Sequence, residues 1–361
     1  MKVATGLAVG REANPALVHE AVAKAMQSAE ISCANSVLLF LTSEFARDPE
    51  PALHAATKAA SCTQVMGCSA PGIFTEQDWI VDAPAAAAMV FGGDAGLQPA
   101  SRVKPRQLLM ALAAPNAMNI TWMAEPGVRF GGVSGDAIGQ GPFSVWQNGK
   151  GTASGHCEAS LKGMRGRVAA AHGVRMLSVP QAVTAVNGHD LLQLNGQSAL
   201  LSLQQACGSG ESLPLHRLMA AIADSAEAVK KRNYRFAALV CGNEADGSVT
   251  LAKYLTLGQY LCWVVREPQA AQQDFKDTVL KLEKRLGIKP DFGLLFSCLG
   301  RGPYFYGGMD RDLELLREQF PQLPLIGFYG NGEIAPMNGV NELLQYSAVL
   351  GLFACEPEIQ P

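Results

Sequence analysis

A chain of 361 residues is longer than one ordinary core organises, so two or three domains are expected. With 48% apolar and 17% charged residues it has a globular make-up, and a net charge of −3 argues against the clustered Lys and Arg of a nucleic-acid surface. Nine scattered cysteines without a CxxC pair give neither a disulfide framework nor zinc-ligand spacing, which points to reduced thiols in the cytoplasm.

The N-terminal segment carries one Lys and an apolar run soon broken by Gly, Arg and Glu. It suits a first strand better than a signal peptide, and no later apolar run is long enough to cross a bilayer. Asn14-Pro15 is a cap followed by Pro, and Val18, Val22 and Met26 continue at helical spacing. Ser36 to Leu41 is a buried strand. Asp48-Pro49 opens a second helix, a turn follows around Gly67, and Ala87 to Phe91 is a strand. Residues 127–151 are glycine-rich, which predicts a loop or a backbone approached closely by something. Strand-like runs flank the hairpin signal Asn187-Gly188, a helix runs through Cys207, and Glu211 to Lys231 reads as a long amphipathic helix. Beyond Phe275 the early order returns: a helix ending at Gly287, a strand over Asp291 to Ser297, a helix containing Leu313, Leu316 and Phe320, and strands at Leu325 to Phe328 and Tyr346 to Ala354.

The two ends also match residue by residue. Val37-Leu-Leu-Phe40 parallels Gly293-Leu-Leu-Phe296, Gly67 parallels Gly327, and Met89-Val-Phe91 parallels Gly351-Leu-Phe353, at offsets of 256, 260 and 262. Such small drift suggests internal duplication. The expected fold is α+β, with two duplicated α-β-α-β-β units whose mixed sheets are flanked by helices and packed tightly together.

Phe296-Ser-Cys-Leu-Gly-Arg-Gly302 and Ile326-Gly-Phe-Tyr-Gly-Asn-Gly-Glu-Ile334 resemble the hallmark of the FIST C-terminal domain. Leu192-Gln-Leu-Asn-Gly-Gln-Ser-Ala199 is similar to the family's segment joining its two domains. Val37-Leu-Leu-Phe40 and Val65-Met-Gly-Cys-Ser-Ala-Pro-Gly72 resemble the N-terminal FIST domain. The resemblance implies domains at 1–190 and 191–361, and a sensory module of signal transduction that binds a small ligand, an amino acid being the usual proposal. It leaves no residues for an output domain, so a signal is expected to pass to a separate protein such as a kinase or cyclic-dinucleotide enzyme. Some bacterial relatives are haem proteins that sense nitric oxide, which makes haem an alternative.

Several residues are candidates for ligand contact. Arg301 lies between Gly300 and Gly302, where a ligand carboxylate can approach a guanidinium; the structural alternative is an Arg that caps a helix or pairs with a nearby acid. Glu333 can take an ammonium group, or pair with Arg301 itself. Asn331, between two glycines, is the best candidate for a left-handed backbone. Tyr329 can stack on a ligand or sit in the core with its hydroxyl satisfied. Cys298, with Cys68 and Ser69 in the first-half counterpart, is either ligand-facing or a small buried residue. No catalytic motif is present. An enzyme reading would make the chain a hydrolase or transferase acting on a small amide through Cys298 or Glu333, and needs a base the sequence does not identify. Of six histidines, His156 adjoins Cys157, a pair able in principle to ligate iron, but no CxxCH exists and no metal site is expected.

Overall fold

The computed structural model describes residues 2–100, 103–208, 215–231 and 234–355. It resolves into two compact units, one reaching to His172 and resuming at Phe275, the other comprising Gly173–Asp274. The class is mixed α+β. Among the described residues no helix is long and apolar enough to cross a membrane.

In the first unit, the order expected twice is traced three times, the second time without its first helix among the described residues. The first run is β1 (Lys2–Val9), α1 (Pro15–Ser28), β2 (Ser36–Thr42), α2 (Glu50–Ala60), β3 (Val65–Ala70), the hairpin β4 (Gly72–Thr75) and β5 (Trp79–Val81), and β6 (Ala85–Gly92). The second is β7 (Gly96–Pro99), β8 (Leu108–Ala113), α3 (Ile120–Ala124), β9 (Val128–Val133), β10 (Val145–Gln147), β11 (Lys150–Gly151) and β12 (His156–Lys162). The third starts with β13 (Met164–Ala171). After the second unit it resumes as α6 (Pro268–Leu286), β22 (Phe292–Cys298), α7 (Arg311–Gln319), β23 (Leu325–Gly330), β24 (Glu333–Met337), β25 (Val340–Leu344) and β26 (Ala348–Cys355).

Each run builds one six-stranded sheet, and each gives its hairpin to another. The sheets have the orders β1-β6-β2-β3-β10-β11, β7-β12-β8-β9-β24-β25 and β13-β26-β22-β23-β4-β5. Three parallel pairs, β2–β3, β8–β9 and β22–β23, lie at their centres. One glycine marks the same register in all three: Leu39 faces Gly67, Ala111 faces Gly131 and Leu295 faces Gly327. A Cβ there would lie 1.6, 1.8 and 1.8 Å from the facing carbonyl oxygen, so each position admits only glycine. Of the two readings of 127–151, close backbone approach holds at its start, which is a central strand rather than a loop.

The inner faces of the three sheets share one apolar core. Phe40, Phe130, Phe296 and Phe328 meet there, with Phe40 and Phe328 rings 4.8 Å apart. The outer faces are covered separately. α1 and α2 pack Val18, Ala21, Val22, Leu53 and Ala56 on the first sheet, and α6 and α7 pack Phe275, Val279, Leu313 and Leu316 on the third. α1 starts as expected, with Asn14 Oδ1 accepting from the Ala16 amide at 2.9 Å.

The second unit holds β14 (Val174–Met176), β15 (Gln181–Asn187), β16 (Asp190–Leu194), β17 (Gln197–Ser198), α4 (Ala199–Cys207), β18 (Leu218–Ala223), α5 (Ala226–Lys230), β19 (Arg235–Asn243), β20 (Ser248–Leu251) and β21 (Tyr260–Arg266). The strand order β21-β15-β16-β20-β19-β18 closes into an antiparallel barrel because β18 also pairs with β21. The hairpin at Gly188 forms with φ of 61°. The helix expected over 211–231 does not: 211–214 lie outside the described residues, Leu215–Arg217 is a single 3-10 turn, Leu218 to Ala223 is a strand, and α5 is the one α-helical piece among the described residues. That stretch places Leu218, Ala220 and Ile222 inward at period two, an alternation that the overlapping helical spacing of Leu218, Ile222 and Val229 conceals.

Candidate functional site

In sheets with parallel strands, ligands meet the carboxyl ends of those strands. Here the three loops leaving β3, β9 and β23 converge. A Cβ on Gly135 would lie 3.2 Å from Asn331 Cβ and 3.4 Å from Pro71 Cδ, and these three residues each stand four positions past the register glycine. Asn331 is exposed at this meeting point, and its amide donates to Val133 O at 2.9 Å. The left-handed backbone expected at Asn331 falls instead on Gly332, with φ of 133°; a Cβ there would press within 3.0 Å of Leu344 O.

Beneath the loops lie polar groups. Ser69 is buried, its Oγ accepting from the Ser144 amide at 3.1 Å and lying 3.2 Å from Ser134 Oγ, which donates to Ser69 O at 2.6 Å. Its neighbour Cys68 points into the apolar core, and burial pushes its thiol pKa well up. Cys298, at the end of β22, is also buried, and its amide donates to Ser347 O at 3.0 Å.

Glu333 is the unusual member. It pairs with Gly132, as Ile73 pairs with Phe328 and Val145 with Cys68, so one register position holds Ile, Val and Glu in the three sheets. Ile73 and Val145 belong to the apolar core, and Glu333 is fully buried. Its Oε2 accepts from Ser347 Oγ at 2.5 Å and the Ser347 amide at 3.3 Å, whereas Oε1 has no hydrogen-bond partner among the described residues. Burial raises the carboxyl pKa well above the ordinary value, and the Ser347 bonds and the charge of Arg301 offset only part of that.

Arg301 and Tyr329 face the helical layer. The Arg301 guanidinium binds Asp312 through both oxygens, Nε–Oδ2 at 2.7 Å and Nη2–Oδ1 at 3.1 Å, and donates to His172 O at 3.0 Å. The acid partner is thus on α7, and Tyr306 also donates to Asp312 at 2.9 Å. Tyr329 is buried and donates to Asp310, whose other oxygen accepts from the Leu313 amide at 3.0 Å as the cap of α7. A Cβ on Gly302 or Gly72 would stand 3.0 or 2.8 Å from the Tyr329 ring, so both glycines frame that ring.

Sequence reasoning missed Ser347, Asp310 and Asp312. Asp310 was visible as a helix cap ahead of an apolar spacing; Ser347 carried no local signal. His156 and Cys157, as strand neighbours, point to opposite faces: Cys157 lies in the central core, and His156 stacks on Trp122 at 4.4 Å. They do not converge on one point. Among the described residues no group of three or more His, Cys, Asp or Glu is arranged to hold a metal ion.

Comparison with known proteins adds two domain matches: residues 35–197 match the FIST N domain and residues 199–336 the FIST C domain. The chain is similar to uncharacterized protein Mb0898c of Mycobacterium bovis, 27% identical over 234 residues, which is 63% of this chain and 61% of that protein. It is 26% identical over 229 residues to uncharacterized protein MT0656 of Mycobacterium tuberculosis, 62% of this chain and 60% of that one. The match thus spans about three fifths of these relatives. A 45-residue stretch, 12% of this chain and 11% of the other, is 47% identical to human F-box only protein 22.

Proposed function

Because the chain belongs to the FIST family, whose domains are sensory modules of signal transduction, we propose that it is a cytoplasmic small-ligand sensor acting through a separate signalling protein. The ligand enters where the loops at Pro71, Gly135 and Asn331 meet, and Glu333 is the deepest group it reaches. The observation that carries this reading is the unpartnered Oε1 of Glu333 at a register position that is aliphatic in the other two sheets. A buried polar atom without a partner costs free energy that the fold avoids twice with Ile73 and Val145.

Burial favours the protonated form of Glu333; because Oε2 already accepts two bonds, in that form Oε1 presents a hydrogen-bond donor. It suits a ligand carbonyl or carboxylate better than an ammonium. An amino acid fits through its carboxyl end. Ligand binding then biases the loop conformations that a partner reads.

Mass spectrometry of small molecules released from the natively purified protein, with a thermal-shift panel of free amino acids, tests this. A ligand that stabilises the wild type but not Glu333→Leu, with the variant's own unfolding transition cooperative, supports the site. Equal stabilisation of both proteins rejects it.

A further inference from the structure

The second sheet differs from the other two in what covers it. α1 lies over β1 and β6, burying Ala86, Ala88 and Val90 on the outer face; the third sheet buries Ala348, Leu350 and Leu352 beneath its helices. Between β7 and β8 the described residues contain no helix. The matching register positions on β12 are His156, Glu158 and Ser160, paired with Ala113, Ala111 and Leu109. The outer face of β12 is polar while its inner face, with Cys157 and Ala159, stays in the core. A groove of about 400 Å³ opens over this face, within the size range of small-molecule sites.

Its polar groups are held in place. Arg129 has a side chain 1% exposed, and its Nε donates to Glu158 Oε2 at 2.8 Å. Trp122 Nε1 donates to the same oxygen at 3.2 Å, and Arg129 Nη1 donates to Glu125 O at 2.8 Å. Both short bonds therefore fall on Oε2, and Oε1 keeps only a 3.5 Å contact with Nη2. Glu158 and Glu125 line the groove, with Trp122 and His156 stacked beside them. The fold does not need this ion pair: Val65 and Leu325 occupy the register of Arg129, two residues before the glycine, and Ala88 and Leu350 that of Glu158. A buried pair is a poor source of stability compared with apolar packing, so its retention in one sheet of three points to a ligand.

We propose that this groove binds a small molecule carrying a protonated amine. The ammonium group lies on Glu158 Oε1, with Glu125 adding charge, and the carbon skeleton lies on the outer face of His156, whose other face stacks on the buried Trp122. Two carboxylates line the groove against one buried guanidinium, so the ligand is an amine without a neighbouring carboxylate. That sets it apart from an amino acid, and the site shares no residue with the one proposed at Glu333.

Calorimetric titration with phenethylamine, and with its neutral N-acetyl derivative, tests the assignment. Phenethylamine binds, and acetylation weakens binding by at least about tenfold. Arg129→Leu/Glu158→Leu, which restores the apolar pattern of the other sheets, folds and loses that preference. His156→Ala, which removes half the stack, weakens the amine severalfold. No heat with either compound at millimolar concentration, equal binding of the two, or undiminished amine binding by a folded double variant would each overturn the proposal.

Discussion

Tyr329 donates its hydroxyl proton to Asp310, the residue that caps α7 through its other oxygen. Burial, with help from neighbouring Asp312, pushes the Asp310 carboxyl up to about 6 from the ordinary 3.8. The folded state thus binds a proton more tightly than the unfolded chain. The stabilisation this confers is complete below pH 3.8 and lost as pH rises through about 6, which amounts to roughly 3 kcal/mol by linkage. Asp310→Asn keeps an oxygen for the Leu313 amide and an amide group for Tyr329, but has nothing to titrate. Thermal unfolding from pH 4 to 7 is expected to fall less steeply for the variant than for the wild type. Parallel curves would show that Asp310 titrates as in the unfolded chain.

The three register glycines make a graded test of the threefold arrangement. At Gly67, Gly131 and Gly327 a Cβ would sit within 1.8 Å of a backbone oxygen, an overlap that no side-chain rotation relieves. Each Gly→Ala change is expected to cost on the order of 4 kcal/mol, or to prevent folding. Gly151→Ala is the control, since nothing lies within 4 Å of its Cβ position. Urea unfolding of the four variants checks this. A mild effect at Gly131 alone would mean that the second sheet packs more loosely than its counterparts.

The first and third runs were legible because their helices and strands keep ordinary lengths and their motifs align. The second run was hidden for physical reasons. Its first crossover has no helix among the described residues, α3 is five residues long, and its central strand Val128–Val133 contains two adjacent glycines that read as a loop. Only the paired register, Ala111 with Gly131, reveals that Gly131 does the work of Gly67 and Gly327. The candidate site was legible in its residue types but not in its directions. Arg301 and Glu333 follow the ends of the paired strands β22 and β23, yet one is bonded to α7 and the other turns into the core beside Ser347. Strand alternation fixes such directions, and the irregular turns after β22 and β23 obscured the phase.

The thiols separate by place in the fold. Cys33 and Cys241 are exposed, whereas Cys68 and Cys157 are buried in the central core, where desolvation raises their pKa values. Because the thiolate is the reactive form, native alkylation should modify Cys33 and Cys241 and spare Cys68 and Cys157 until denaturant is added. Peptide mass spectrometry after timed iodoacetamide treatment measures this. Early labelling of Cys68 would indicate that the central core near the convergent loops opens readily.

Glu333 and Ser347 form a polar pair where the first run has Ile73 and Ala85, so their contribution to stability can be isolated. The Glu333 carboxyl has a raised pKa in the folded protein, so its stabilisation is present below the ordinary carboxylate range and is lost as pH rises through the folded value. Above that window the buried acid is a net cost. Glu333→Leu/Ser347→Ala removes both polar groups together and should be more stable than the wild type at pH 8 by ~1–3 kcal/mol. Both variants leave the backbone amide of residue 347 without its Glu333 acceptor, but Glu333→Leu alone also orphans the Ser347 hydroxyl and should fall below the double variant by ~1–2 kcal/mol. Denaturant titrations at pH 5 and pH 8 measure both differences. If the wild type is the more stable protein at pH 8, the acid is a structural support, and the case for Oε1 as a ligand contact fails with it.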